Sequence, residues 1–372
     1  MSVRLFSLLL VVFASVVPVP AALAQTSVSV TYHYAPISFP GASVTNVNGI
    51  NNSNVIVGSY YDSQYFVHGF LYSAGKYTAV NFPGAIMTQV LGVNDNGDIV
   101  GTYQTSGTLN FHGFLRRNGT FTKINDPSAK IGTMAFGINK AGTIVGSFDN
   151  AQGFVYENGT FRTLNAPQLP GESHQTQLNG INDQGWIVGQ VYRGGIWRGF
   201  WIVNNQIHFI EPAGTTDSEA NAINNRGDVA GCHDVQAGFV SFAVGTYAST
   251  GKFPAEQPVV SCASGINYAR AIVGSYSTTN NQKGFLGVPA LTLQSSLAWQ
   301  SSDVVHITAA AFGNNPIAQI QVWVNGSEVY HVAGGTLNAN IKLPSGTNEK
   351  LIVRAVDSKG VTAKVTNTVT VN

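Results

Sequence analysis

Apolar and polar residues alternate in short runs along residues 31–288, and the runs are separated by turns rich in Gly, Asn and Asp. The segment HGFLYSAGKYTAV has aromatic and β-branched residues on both sides of residues 73–75, which predicts a hairpin. The segment VLGVNDNGDIVGTY predicts a second hairpin that turns at residues 95–97, because Asn-Gly turns supply the positive φ angles that tight hairpins require. No part of the unit has the apolar period of a helix over ten or more residues. The pattern therefore predicts an all-β chain.

This pair of hairpins recurs six times, each time around a segment similar to GIN-x-x-G-x-IVG. The shared asparagine stands at Asn51, Asn94, Asn139, Asn182, Asn224 and Asn267. A Gly-Phe pair keeps the same spacing, at residues 69–70, 113–114, 153–154, 199–200, 238–239 and 284–285. Four strands in each repeat of about 43 residues are typical of a β-propeller blade. The sequence therefore predicts a six-bladed β-propeller over residues 31–288, with an open β-solenoid of the same units as the alternative.

The two ends of the repeat region complement each other. Residues 31–42 match the outer strand of the first repeat, and the last repeat ends soon after its own Gly-Phe pair. We therefore expect residues 31–40 to pair with residues 284–288 and so to complete the last blade, which would remove an open sheet edge.

The repeat stops near residue 290, and a different alternating pattern follows. Asn325-Gly326 is the turn of a clear hairpin, and about seven short strands fit into residues 291–372. This suits a small β-sandwich. The pattern is similar to the immunoglobulin-like modules of bacterial surface proteins, although the cysteine pair that marks many such domains is absent. Residues 287–290 are the expected linker.

The N-terminal segment, residues 1–24, has the pattern of a signal peptide: Arg4, an apolar run over residues 5–17, and Ala22-Leu23-Ala24 before the expected cleavage. The run is shorter than a membrane span needs, and no later segment is long and apolar enough to be one. We expect a protein exported to the periplasm, the cell surface or the extracellular medium. In an oxidising compartment, Cys232 and Cys262 are expected to form a disulfide, with two buried free thiols as the alternative.

The repeat, with its HGFL segment and outer Phe-Pro-Gly-Ala turn, resembles the bacterial extracellular HAF-repeat family. His68 and His112 fit the naming motif, whereas Gln152, Arg198, Ala237 and Lys283 stand at the equivalent positions of the other repeats. The resemblance implies fold and export and brings no activity or catalytic residue with it.

Composition narrows the range of functions. Only 10% of the residues are charged and the formal net charge is +1, so the chain lacks the basic surface that nucleic-acid binding needs. The 33 asparagines outnumber the 18 carboxylates. We nominate no catalytic, cofactor-binding or metal-ligating residue. Arg226-Gly227-Asp228 and the calcium-loop-like segment VNDNGD both occupy repeated hairpin turns, which accounts for them without a ligand.

Carboxylates that could serve a glycosidase-like cleft are few. Three follow the Ile-Val-Gly strand in equivalent places: Asp62, Asp149 and Asp234. The others are assigned to the longer loops between repeats: Asp126, Glu172, Glu211, Asp217, Glu219 and Glu256. Solvated loop carboxylates are the competing interpretation of all nine.

The most suggestive feature outside the repeat is aromatic. The fourth repeat holds Trp186, Tyr192, Trp197 and Trp201, and the other five repeats contain no tryptophan. Aromatic platforms favour carbohydrate or peptide ligands, while a blade core filled with indole is the structural alternative. We expect a non-catalytic binding or surface-interaction protein with a glycan, peptide or envelope partner and no cofactor. The alternatives are a secreted carbohydrate-active hydrolase or lyase, and a purely structural envelope or matrix component.

Overall fold

A computed structural model describes residues 25–371, except positions 109, 150–151, 168, 173–174, 213, 235–236, 243–245, 250–259, 278–281 and 345. The predicted signal peptide lies outside this range. Every regular element among the described residues is a β-strand, as the sequence predicts. Within the same residues, no helix exists that has the length and apolar character to cross a membrane.

Each of the first five repeats folds as four consecutive antiparallel strands, in the order a, b, c, d. Repeat one consists of β2 (Val44–Ile50), β3 (Ile56–Tyr61), β4 (Val67–Ser73) and β5 (Lys76–Val80). Repeat two consists of β6 (Ala85–Val93), β7 (Ile99–Thr105), β8 (His112–Arg117) and β9 (Thr120–Ile124). Repeat three consists of β10 (Thr133–Ile138), β11 (Ile144–Phe148), β12 (Gln152–Glu157) and β13 (Thr160–Thr163). Repeat four consists of β14 (Thr176–Ile181), β15 (Ile187–Arg193), β16 (Ile196–Val203) and β17 (Gln206–Ile210). Repeat five consists of β18 (Ser218–Ile223), β19 (Val229–His233), β20 (Ala237–Phe242) and β21 (Thr246–Ser249).

The sixth repeat takes its outer strand from the start of the chain. Its strands a, b and c are β22 (Val260–Ile266), β23 (Ile272–Ser277) and the first part of β24 (Gln282–Ser301). Strand d is the second half of β1 (Gln25–Ile37), in which Ile37 pairs with Gly284 and His33 with Val288. The predicted pairing of the two chain regions is therefore confirmed.

Strand β24 does not stop where a linker was expected. Residues 287–290 lie inside this 20-residue strand, and β1 pairs along it with one register shift at Thr31/Tyr32. The remaining strands are β25 (Val304–Gly313), β26 (Ile317–Val324), β27 (Ser327–Ala333), β28 (Thr336–Lys342), β29 (Gly346–Asp357) and β30 (Thr362–Val371). One run of strands pairs in the order β1-β24-β25-β28 and the other in the order β27-β26-β29-β30. Both contribute to a single apolar core that includes Leu293, Ile307 and Val353.

Packing explains the two repeated motifs. The phenylalanine of each Gly-Phe pair is at most 1% exposed in the six repeats, so it forms the centre of each unit. It lies against the glycine of Ile-Val-Gly: a Cβ atom at Gly58 would stand 2.7 Å from the Phe70 ring and 2.0 Å from the carbonyl oxygen of Asn46. Only glycine allows the strand to approach its neighbours this closely, which is why the motif ends in glycine in all six repeats.

The shared asparagines connect consecutive repeats. The side-chain Nδ2 of each donates to the backbone carbonyl of the next one: Asn51 to Asn94 (2.9 Å), Asn94 to Asn139 (3.0 Å), Asn139 to Asn182 (3.3 Å), Asn182 to Asn224 (3.1 Å), Asn224 to Asn267 (2.9 Å) and Asn267 to Asn51 (3.4 Å). We call this set the asparagine ring. It returns to its starting residue, so the six repeats are linked as a circle.

The ring defines two ends of the repeat region. The a–b turns lie at the asparagine end, and the b–c and d–a loops lie at the opposite end, which we call the loop end. Strand β24 runs from the loop end towards the asparagine end before it enters the C-terminal sheets. The C-terminal sheets and Gln25 therefore extend from the asparagine end, and the loop end is turned away from them.

Candidate ligand-binding surface

The four aromatic residues nominated in repeat four form two separate pairs. Trp186 and Trp201 meet edge to face, with ring centroids 6.3 Å apart, and both pack on the core that repeats four and five share. Trp186 also lies over Gly227, a turn residue of repeat five. For this pair, the structure supports the interpretation that the tryptophans fill the core between repeats and do not form a ligand platform. Tyr192 and Trp197 form the second pair, with centroids 5.5 Å apart, at the loop end.

The Tyr192–Trp197 pair belongs to a small surface that two loops hold in place. Tyr192 is 38% exposed and Leu169, in the preceding d–a loop, is 42% exposed. Glu172 fastens the loops together, because its carboxylate accepts hydrogen bonds from the backbone N–H of Gly194 (2.7 Å) and of Leu169 (3.2 Å). We call Leu169, Tyr192 and Trp197 the repeat-four platform. Rigid aromatic side chains of this kind supply contact area at a low cost in conformational entropy.

Further exposed apolar side chains lie at the same end, and sequence reasoning missed them. They are Tyr65, Phe66, Ile86 and Ile131, between 47% and 77% exposed. All stand in b–c or d–a loops or at the start of a strand a, outside the repeated motifs. Non-repeated apolar residues in those loops were the sequence signal that could have identified them. At the asparagine end, Tyr268 is an exposed aromatic residue of an a–b turn.

Three loop aspartates organise the loop end. The Asp149 carboxylate accepts hydrogen bonds from the backbone N–H of Lys130, Ile131 and Gly132 in the neighbouring loop. Burial acts to raise the pKa of Asp149, but these donors outweigh it and lower the pKa.

The other two aspartates act in the same way. The Thr216 backbone N–H, followed by its hydroxyl, lowers the pKa of Asp234 to about 2. Asp62 accepts from the backbone N–H of Gln64 and Phe66, and these bonds together with His68 lower its pKa despite desolvation. The three carboxylates are therefore engaged in holding loops.

The remaining carboxylates considered for catalysis have local protein partners or lie outside the loops to which the sequence assigned them. Glu211 forms an ion pair with Arg198 (2.5 Å). Asp126 is buried and caps the N–H of Ser128. Glu219 lies in strand β18 and not in a loop, which corrects the assignment. Burial, followed by the charge of Asp217, raises the pKa of Glu219. Glu256 lies outside the described residues.

The histidines make local contacts. His68 bonds Asp62 through Nε2 (3.2 Å) and Asn81 through Nδ1 (3.0 Å), and the His112 ring lies 5.2 Å from that of Tyr103. In the part of the chain that the structure covers, no group of three or more His, Cys, Asp or Glu side chains is arranged to hold a metal ion. His174 lies outside that part.

The Arg226-Gly227-Asp228 sequence is a structural turn. Asp228 is fully buried, and its carboxylate accepts hydrogen bonds from Nε (2.8 Å) and Nη2 (3.2 Å) of Arg270 in the next repeat. Arg226 lies over the Tyr268 ring at 4.1 Å. The carboxylate of this turn is thus inaccessible to a partner.

The axial pocket inside the asparagine ring is small, at about 70 Å³. Its ring asparagine side chains already bind the protein itself: Asn182, for example, donates to Asn224 and accepts from the N–H of Gln184 (3.1 Å) and of Trp186 (2.9 Å). The ring therefore serves the fold, and the loop end is the better candidate for a ligand.

The predicted disulfide is present between Cys232 and Cys262. It joins strand b of repeat five to strand a of repeat six. At the interface between repeats six and one, Ser275 stands at the position equivalent to Cys232. Its hydroxyl accepts a hydrogen bond from the Val47 N–H (3.0 Å). The covalent bond thus replaces a polar contact between repeats.

Comparison with known proteins identifies no family. No protein-family model matches the chain, and no curated protein matches it. Among solved structures, YCF48 bound to D1 peptide is similar with 13% identity and a TM-score of 0.36 over 70% of this chain and 99% of that one. A triple-arginine mutant of AofleA from Arthrobotrys oligospora is similar with 9% identity and a TM-score of 0.39 over 85% of this chain and 94% of that one. We draw no conclusion about fold or ligand from scores this low.

Proposed function

We propose that the six repeats are the blades of a closed six-bladed β-propeller, and that the C-terminal sheets are an immunoglobulin-like sandwich. The asparagine ring supports closure, because Asn267 reaches back to Asn51 and β1 completes the sixth repeat. An open solenoid would leave the first and last repeats apart. A small-angle scattering profile that fits an extended rod would contradict closure.

We further propose that the protein is exported and belongs with the HAF-repeat proteins that it resembles. Its function in this proposal is to bind a glycan or peptide ligand without catalysis. The observation that carries the proposal is the repeat-four platform, since Tyr192 at the end of β15 and Leu169 in a loop stay exposed beside the contacts that Glu172 makes. The loop end is also turned away from the C-terminal sheets, which leaves it free for a partner.

The test is a glycan array and a peptide array probed with the mature chain, followed by calorimetry on each hit. Tyr192→Ser and Trp197→Phe should each weaken binding, the first by about tenfold, because a buried aromatic contact contributes about 1–2 kcal/mol. Tyr268→Ser is the matched control, since Tyr268 is an exposed tyrosine at the opposite end. Equal losses in Tyr192→Ser and Tyr268→Ser, or no ligand in either array, would refute the proposal and favour a structural envelope component.

One observation favours the alternative of a carbohydrate-active hydrolase or lyase. Glu219 lies in strand β18, which also carries Asn221 of the central channel, and burial together with the charge of Asp217 raises its pKa, as a general acid requires. Turnover of a polysaccharide panel that is lost in Glu219→Gln would establish this alternative. Turnover that persists in the variant would assign the activity to other residues, and absence of turnover by the wild type would remove the alternative.

A further inference from the structure

A second cavity, remote from the loop end, lies between the N-terminal strand β1 and the sheet β27-β26-β29-β30. Its volume of about 560 Å³ falls within the range of about 300–1,000 Å³ that small-molecule pockets occupy. The side chains that matter for recognition are Ser29, Thr31, Trp323, Ile352, Arg354 and Lys364. One wall is fixed by a hydrogen bond from Thr31 Oγ1 to the backbone carbonyl of Thr362 (2.7 Å).

Two positive charges stand side by side in this cavity. Arg354 on β29 and Lys364 on β30 are direct cross-strand partners. Like charges in this position repel each other and destabilise a sheet. Neither side chain forms an ion pair with a carboxylate among the described residues. Glu328, on the neighbouring edge strand, is held by Gln321 Nε2 (2.9 Å) and by His331 Nδ1 (2.9 Å). The charge of the pair is therefore available to an anion.

The side chain of Trp323 forms part of the wall of the same cavity. Its indole Nε1 is buried, so a ligand in the cavity meets the ring and not the N–H. Trp323 and Ile352 are cross-strand neighbours and supply an apolar surface next to the charges. The lining thus offers two cations, hydroxyl groups and an apolar patch.

We propose that this cavity binds an acidic saccharide, with the carboxylate at Arg354 and Lys364 and the sugar ring against Trp323 and Ile352. A guanidinium pairs with a carboxylate through two parallel hydrogen bonds, and the apolar face of a pyranose packs on indole. The Ser29 hydroxyl lines the cavity, and the Thr31 oxygen, whose proton bonds Thr362, can still accept from a sugar hydroxyl. This site is separate from the repeat-four platform and does not depend on the function proposed for it.

The test is calorimetric titration of the mature chain with a galacturonic acid dimer, the neutral galactose dimer and inorganic phosphate. We expect the acidic dimer to bind and the neutral dimer to bind at least about tenfold more weakly, as loss of a charge-assisted contact implies. Equal binding of both dimers, or binding of neither, would overturn the proposal. Binding of phosphate alone would show an anion site without saccharide recognition and would also overturn it.

Variants locate the site. Arg354→Gln and Lys364→Gln should each weaken the acidic dimer by about tenfold, whereas Lys359→Gln, in the nearby β29–β30 turn, should leave binding unchanged. Trp323→Phe keeps an aromatic ring but reduces its apolar area, so it should weaken binding by a smaller factor. Arg354→Gln should not lower the thermal midpoint of the free protein, because it relieves repulsion. A midpoint that falls sharply would mean that Arg354 has a structural partner, and binding unchanged in both charge variants would refute the site.

Discussion

The side-chain amide of Asn267 donates a hydrogen bond to the backbone carbonyl of Asn51 (3.4 Å), although 216 residues separate them in the chain. The five other contacts of the asparagine ring join neighbours that are only 42 to 45 residues apart. A side chain that accepts hydrogen bonds in a local turn thus also bonds the last repeat to the first. Asparagine suits both tasks, because its amide carries a donor and an acceptor but no charge.

Removal of one ring asparagine should destabilise the whole repeat region. Asn182→Ala deletes the donor to Asn224 and leaves the N–H groups of Gln184 and Trp186 without their acceptor. We expect a loss of about 2–4 kcal/mol, since buried unpaired groups cost about 1–3 kcal/mol each. Thermal and denaturant unfolding would measure it. Asn110→Ala, an exposed asparagine of the b–c loop of repeat two, is the control and should change the midpoint little; equal effects would contradict a special role of the ring.

The disulfide should contribute stability that depends on redox conditions. Cys232 and Cys262 are separated by 30 residues, and a closed loop of that size stabilises by about 3–4 kcal/mol in the chain-entropy model. The double variant Cys232→Ser, Cys262→Ser should unfold at a correspondingly lower denaturant concentration. A reducing agent should lower the wild-type midpoint to that of the variant and leave the variant unaffected. A wild type that ignores reduction would argue that the bond does not form in solution.

The buried ion pair between Asp228 and Arg270 predicts that replacing one partner costs more stability than replacing both. Asp228→Ala leaves the Arg270 guanidinium partly buried without its carboxylate, so we expect a loss of about 3–5 kcal/mol. The double variant Asp228→Leu, Arg270→Met should recover much of that loss, because apolar replacement of both partners avoids an unpaired charge. Denaturant unfolding of the three proteins distinguishes the cases.

Immobilised protein should also fail to support cell adhesion through residues 226–228. Adhesion that Asp228→Glu abolishes would contradict the burial of the Asp228 carboxylate.

Acid should weaken the loop end through its aspartates. The pKa of Asp234 is about 2 in the folded protein, below the value of about 3.9 for an unfolded chain. Its contribution to stability is therefore complete above about pH 4 and is lost as the pH falls towards 2. The pKa values of Asp62 and Asp149 are also lowered, so their contributions to stability should likewise be lost in acid.

The measurement is the thermal midpoint as a function of pH. Asp234→Asn should flatten the decline between pH 4 and pH 2, and Asp303→Asn, in the turn after β24, serves as the control. A decline of the same steepness in Asp234→Asn would show that Asp234 does not contribute.

The site was harder to predict from sequence than the fold. The sequence singled out repeat four because its tryptophans break the repeat, yet it could not separate Trp186 from Trp197. Which face of a strand is covered depends on the neighbouring repeat, and here repeat five covers Trp186 and Trp201. Glu219 was assigned to a loop for a related reason, because strand β18 begins earlier than the repeat motif indicates. The cavity beside Trp323 depends on contacts between the two ends of the chain, which no local pattern encodes.

The sequence by itself determined the strands, the turns and the sixfold repetition, because these follow from local alternation, from positive-φ turns and from glycine where backbones touch. It also indicated the partner of the first strand, since residues 31–40 copy an outer strand that the last repeat lacks. Only the tertiary structure decided that β1 and β24 continue without interruption from the repeats into the C-terminal sheets. Strand continuity depends on hydrogen bonding along both edges, and a Gly-Val-Pro-Ala segment that looks like a linker is held extended once β1 pairs alongside it.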